Sequence, residues 1–184
     1  MFISLLSYPM FFLLRRNNTG DNYRKIRCRV GTPHSTRRTK MTQTTFSHQK
    51  ANSPEARYTD GGLRSFFVYR DTGVTAATNG KVRVQLVRAA YKSSEAKGGT
   101  GFHFHTADVH VVYMVRGWAR FDYDGVNTLV EAGDCVHQRP GIVHSLYDWS
   151  DDMEFMEIII PADFTTTEIT PAAALAAVPA EVKR

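Results

Sequence analysis

Between residues 101 and 160 the chain is cut into short runs by turn signals at near-regular spacing. Arg116-Gly117, Asp124-Gly125, Ala132-Gly133 and Pro140-Gly141 separate segments rich in β-branched and aromatic side chains. Strands are expected over 101–105, 110–116, 118–123, 127–131, 134–138, 143–148 and 153–160. Asp124-Gly125 between two of them is a tight-hairpin signature. Upstream, Phe66-Phe67-Val68-Tyr69 ends at Asp71-Thr72-Gly73, and Lys81 to Arg88 alternates polar and apolar, which predicts a half-buried strand. Many short strands so spaced argue an all-β sandwich or barrel.

Chemistry concentrates in the same region. His103 and His105 sit at i and i+2 in an apolar, aromatic run. On a strand, side chains two apart share a face, so both imidazoles aim at one spot. His110 opens the next apolar run, and two strands joined through residues 106–109 would return it beside the first pair. His144 lies downstream, after Pro140-Gly141. Convergent neutral imidazoles suit a transition metal.

The spacing resembles the cupin superfamily. Its first motif has an HxH pair, a glutamate and a following glycine; here these places hold His103, His105, His110 and Gly117. Its second motif has a glycine, a PxG turn and a histidine; here they fall on Gly133, Gly141 and His144, with Asp148 where the family often has Asn. The resemblance covers about residues 60–163. Two departures stand out: His110 replaces the glutamate, and Arg139 replaces the first proline of PxG. The resemblance implies an all-β cupin jelly-roll barrel in a single domain. It also implies one divalent transition metal, whether Fe, Mn, Ni, Co, Cu or Zn.

The ligands implied are His103, His105, His110 and His144. His110 has a second reading, as a hydrogen-bond donor behind a three-histidine site. Four neutral imidazoles would leave the ion its full charge and favour anionic oxygen ligands such as an enolate, carboxylate or catecholate. They would also fill a tetrahedral zinc, so four-histidine ligation favours the other metals in an enzyme. Strand alternation places Val112, Met114, Phe121, Tyr123 and Gln138 as candidates for a substrate pocket. His137 falls on the opposite face from Gln138. Cys135 is expected as a small buried core residue.

Charge divides the chain. Residues 1–40 hold nine basic side chains against Asp21 alone, a formal +8, which leaves −3 for the remainder of a +5 chain. The folded part therefore carries no nucleic-acid footprint. The apolar run over residues 2–14 is shorter than the roughly 20 residues a membrane-spanning helix needs. It also lacks the charge order and cleavage site of a secretory signal. Residues 1–40 are expected to be a flexible basic extension, or to precede a true start at Met41. Residues 41–59 read as a polar arm, 60–163 as the barrel and 164–184 as a tail. In that tail Thr170 caps a short helix with Pro171 in its first turn. Two cysteines and no disulfide pattern fit a reducing, cytoplasmic setting.

No Ser/His/Asp elbow, phosphate loop or dinucleotide fingerprint is present. The expected function is that of a metal-binding cupin: a dioxygenase-like oxidoreductase acting on a small anionic or enolisable molecule. Its alternatives are a non-redox isomerase or lyase, or a binding module. A single barrel with open sheet edges is expected to pair as a homodimer, with residues 41–70 as candidates for an exchanged strand.

Overall fold

A computed structural model describes residues 44–179; the basic extension over 1–40 and the proposed start at Met41 lie outside the described residues. Ten strands form: β1 (Phe67–Asp71), β2 (Arg83–Ala89), β3 (His103–His105), β4 (Val109–Arg116), β5 (Trp118–Tyr123), β6 (Val126–Glu131), β7 (Cys135–Gln138), β8 (His144–Trp149), β9 (Glu154–Ile160) and β10 (Thr166–Glu168). Two short helices accompany them, α1 (Val74–Ala77) and α2 (Pro171–Ala177). No helix among the described residues is long and apolar enough to cross a membrane.

The strands form two five-stranded sheets with orders β1-β2-β9-β4-β7 and β10-β3-β8-β5-β6. The pairings between strands are antiparallel throughout. The two sheets face each other across a core of Phe67, Val87, Val112, Met114, Phe121, Trp149, Met153 and Phe155. Phe67 packs against Trp149 with ring centres 5.0 Å apart, and Phe66 stacks on the same indole at 5.4 Å. This is the all-β jelly-roll architecture expected from the spacing of strands and turns.

Four differences from the expected strand map have physical reasons. The hairpin expected between 101–105 and 110–116 does not form: β3 and β4 lie in different sheets, and residues 106–108 cross between them. Strands also continue past Ile160, because β10 pairs with β3 and becomes the edge of that sheet. Within β2 the alternation holds, but Arg83 and Gln85 turn toward the interior together with Val87. Cys135 is exposed, contrary to expectation, because it shares the outward phase of β7 with His137 while Val136 and Gln138 turn inward.

β1 lies antiparallel to β2 of the same chain and forms the outer strand of its sheet. The arm over residues 44–58 is tied down: Tyr58 hydrogen-bonds to Glu154, and Gln49 donates to the Asp71 carbonyl at 2.9 Å. In α2, the Thr170 hydroxyl accepts from the Ala173 amide at 3.2 Å, the cap expected from the sequence.

Gly99 shows why the loop before β3 needs glycine. Its φ is +64°, and a Cβ there would stand 2.0 Å from the Leu146 carbonyl oxygen. The close crossing lets Thr100 bridge to β8, its hydroxyl accepting from the Leu146 amide at 2.9 Å. That clamp delivers the chain into β3 directly beside His144.

Candidate metal centre and cavity

His103 and His144 are opposed across the β3–β8 ladder, and their ring centres are 4.3 Å apart. His105 follows two residues on, 5.0 Å from both rings. One ring nitrogen from each of His103, His105 and His144 lies within 4.8 Å of the other two. The remaining nitrogens are committed. Nδ1 of His103 donates to the Gly101 carbonyl at 2.9 Å, and Nδ1 of His144 donates to the Ile142 carbonyl at 3.0 Å. Nδ1 of His105 is 3.0 Å from the Thr166 hydroxyl.

These bonds set the tautomers. With Nδ1 protonated, the lone pair of His103 and of His144 sits on Nε2. Burial keeps all three rings neutral. It pushes His144 and His105 down to about 3, with neighbouring histidines adding to the effect, and lowers His103 as well. Neutral rings, each oriented by a hydrogen bond on the far nitrogen, are the donor set that a divalent transition ion requires.

His110 comes from the facing sheet. Its ring centre is 5.1 Å from that of His105, but it is not one of the three rings whose nitrogens converge. Its Nε2 donates instead to Glu157 Oε1 at 3.2 Å. Glu157 stands on β9, adjacent to both Val112 of β4 and Gln85 of β2. The Gln85 amide donates to its other oxygen at 2.6 Å. Burial alone would raise the Glu157 carboxyl, but the bonds from His110 and Gln85 outweigh it and hold the group below the usual carboxylate range. The other ring nitrogen of His110 is Nδ1. That atom is buried without a hydrogen-bond partner, as is Oε1 of Gln138. Both residues line a small void of about 10 Å³ together with His105 and His144.

The four histidines line a cavity of about 290 Å³. Of the expected pocket residues, Val112, Phe121 and Gln138 line it. Met114 and Tyr123 do not. Met114 is fully buried in the core, and the Tyr123 ring stacks on Phe121 while its hydroxyl accepts from Gln138 at 3.0 Å. His137 is exposed, on the face away from Gln138.

The sequence reading missed Glu157, Gln85, Arg83, Arg64 and Phe164, all on the cavity wall. Glu157 had a usable signal: it is a lone acid at the inward phase of the apolar run from Phe155 to Ile160.

No protein-family model matches the chain, and no curated protein matches it. Solved structures do. The polyketide cyclase RemF from Streptomyces resistomycificus aligns with a TM-score of 0.52 at 13% identity, over 74% of this chain and 97% of that one. An RmlC-like cupin from Shewanella frigidimarina aligns at 0.46 and 15% identity, over 65% and 95% of the two chains. A predicted oxalate decarboxylase from Thermotoga maritima aligns at 0.44 and 22% identity, over 52% and 80%. Two antiparallel five-stranded sheets, with histidines opposed on the neighbouring strands β3 and β8, give this chain the cupin fold.

Proposed function

We propose that the chain is a mononuclear non-haem metal oxidoreductase of dioxygenase type, acting on a small anionic or enolisable substrate. His103, His105 and His144 would hold one divalent ion. The observation that carries this reading is the commitment of each Nδ1 to a protein oxygen, which leaves three ring nitrogens converging on the wall of the cavity. When bound, such an ion supplies Lewis acidity and, for Fe, Mn, Co, Ni or Cu, an accessible redox couple. Three ligands also leave zinc an open position, so the argument against zinc drawn from four histidines does not carry over.

The chain's own side chains have separate tasks. Phe67, Phe121, Phe155 and Phe164 supply apolar wall that excludes water and strengthens every polar contact made inside. Gln85 and His110 hold the Glu157 carboxylate ionised beside the cavity. In this reading His110 is not the fourth ligand. It keeps its Nε2 proton on the hydrogen bond to Glu157, and its Nδ1 is buried without a hydrogen-bond partner.

A second reading is a non-redox isomerase or lyase. It is favoured by the Glu157–His110 pair, a carboxylate and imidazole within hydrogen-bond reach on the cavity wall, the arrangement general acid–base chemistry uses. Oxygen dependence separates the two. The oxidoreductase consumes O₂ with substrate and stops under nitrogen; the isomerase or lyase runs unchanged. The metal itself is tested by elemental analysis of protein purified without chelator or nickel resin, alongside His144→Ala. About one ion per chain, lost in the variant, is expected; no ion under any loading condition refutes the proposal. The reading also takes the chain as a homodimer, and a solution mass near the 20.7 kDa of one chain removes that part.

A further inference from the structure

The polar face of β2 turns toward the cavity, and its two polar members differ in what they touch. Gln85 is occupied by Glu157. The Arg83 side chain has no hydrogen-bond or ion-pair partner among the described residues. Its guanidinium carbon sits 5.2 Å from the centre of the Phe164 ring. Other arginines of the barrel are matched to acids: Arg64 to Glu168, Arg88 and Arg116 to Glu154, and Arg139 to Asp124. Phe164 in turn stands edge-on to His105, with ring centres 5.1 Å apart and planes at 88°. Those two legs put the Arg83 guanidinium no more than about 10 Å from the His105 ring.

The acids on the same wall do not neutralise it. Glu157 is held by Gln85 and His110, and Asp71 accepts from the Gly73 amide at 2.9 Å, with no ion pair to Arg83. Arg64 lines the cavity as well, and its Nε is buried without a partner although its Nη2 meets Glu168. A guanidinium resting one face on an aromatic ring keeps its planar edge of N–H donors free. That edge matches a carboxylate, which it can bind through two parallel charge-assisted hydrogen bonds.

We infer that the cavity takes an acid with two functional ends, a carboxylate seated on Arg83 and a pair of vicinal oxygen donors directed at His103, His105 and His144. The carboxylate end stands on Arg83 alone; the other end rests on the metal-centre reading above. The available separation fits a single-ring aromatic acid or a short aliphatic acid of that pattern. Phe164 joins the two ends, since it touches the guanidinium on one side and the His105 ring on the other.

The test is calorimetric titration of the full chain with 3,4-dihydroxybenzoate and with 4-methylcatechol, with metal content measured in every sample. The two probes share ring and hydroxyl pair and differ only by carboxylate for methyl. Wild-type protein is expected to bind the acid at least about ten-fold more tightly. Arg83→Gln is expected to bring the acid to the level of 4-methylcatechol and leave the latter unchanged, while Arg83→Lys retains part of the preference. Equal affinities in wild type, binding of neither probe, or a preference that survives Arg83→Gln overturns the inference. Should Arg83→Gln not fold, Arg83→Lys decides: a preference undiminished from wild type overturns the seat on Arg83. The two readings fail separately. An acid preference in protein that never takes up metal keeps the carboxylate seat and removes the metal function. One bound ion per chain without an acid preference does the reverse.

Discussion

The pairing of His110 with Glu157 can be measured by a double-mutant cycle. The two side chains are 4% and 17% exposed, so water cannot readily replace a lost partner. Glu157→Gln removes the charge at nearly constant volume, and the new amide cannot accept from both Gln85 and His110 as the carboxylate does. A hydrogen bond to a charged group contributes about 1.5–3 kcal/mol, and a buried donor left unmatched costs about 1–3 kcal/mol. These overlap, so a loss of about 2–4 kcal/mol is expected, or roughly 4–16 °C in Tm for a chain of this size. His110→Phe breaks the same bond from the other side. The double variant should then lose less than the two singles together, with a coupling of about 1–3 kcal/mol. Urea and thermal unfolding with chelator present isolates this from any metal effect. Single losses below about 0.5 kcal/mol, or no coupling, would show that His110 is held by something other than Glu157.

Two further outcomes follow from the fold. Met114→Ala removes a side chain with 0% exposure from between the sheets, and about 2–5 kcal/mol of stability should disappear in urea titration. Glu154 accepts from Tyr58, Arg88 and Arg116. Its burial would raise its carboxyl, but these partners outweigh burial and hold it below its ordinary 4.5. A carboxyl lowered by folding stabilises the native state above pH 4.5, and that contribution drains away as pH falls through its folded value. Stability measured from pH 6 to pH 3 should therefore fall less steeply in Glu154→Gln than in wild type; identical slopes would exclude the effect.

Local signals carried most of the barrel. Glycine turns and β-branched runs identify strands without reference to distant residues, which is why β4 to β9 are readable within a residue or so at their ends. β10 is not, because Thr166-Thr167-Glu168 has no apolar alternation, and its pairing is dictated by the open edge of β3. The alternation of β2 is equally visible, but period alone does not say which face turns inward. Here a polar cavity reverses the usual assignment and draws in Arg83 and Gln85. The HxH pair and His144 are legible because register brings His103 opposite His144. The partnership of His110 with Glu157 needs β4 and β9 to be neighbours, forty-seven residues apart in sequence, and no local pattern encodes that adjacency.

The three hydrogen bonds behind the converging histidines differ in their vulnerability. His103 and His144 each lean on a main-chain carbonyl two residues earlier, at Gly101 and Ile142. A main-chain oxygen survives substitution of the residue that carries it, so mutation cannot easily erase those supports. His105 leans on the hydroxyl of Thr166, a side chain on a three-residue strand at the sheet edge. The centre thus has two supports that are fault-tolerant and one that a single nucleotide change could delete. Drift in a lineage carrying this barrel would show first as loosening of one ring out of three, with the fold and the other two rings intact.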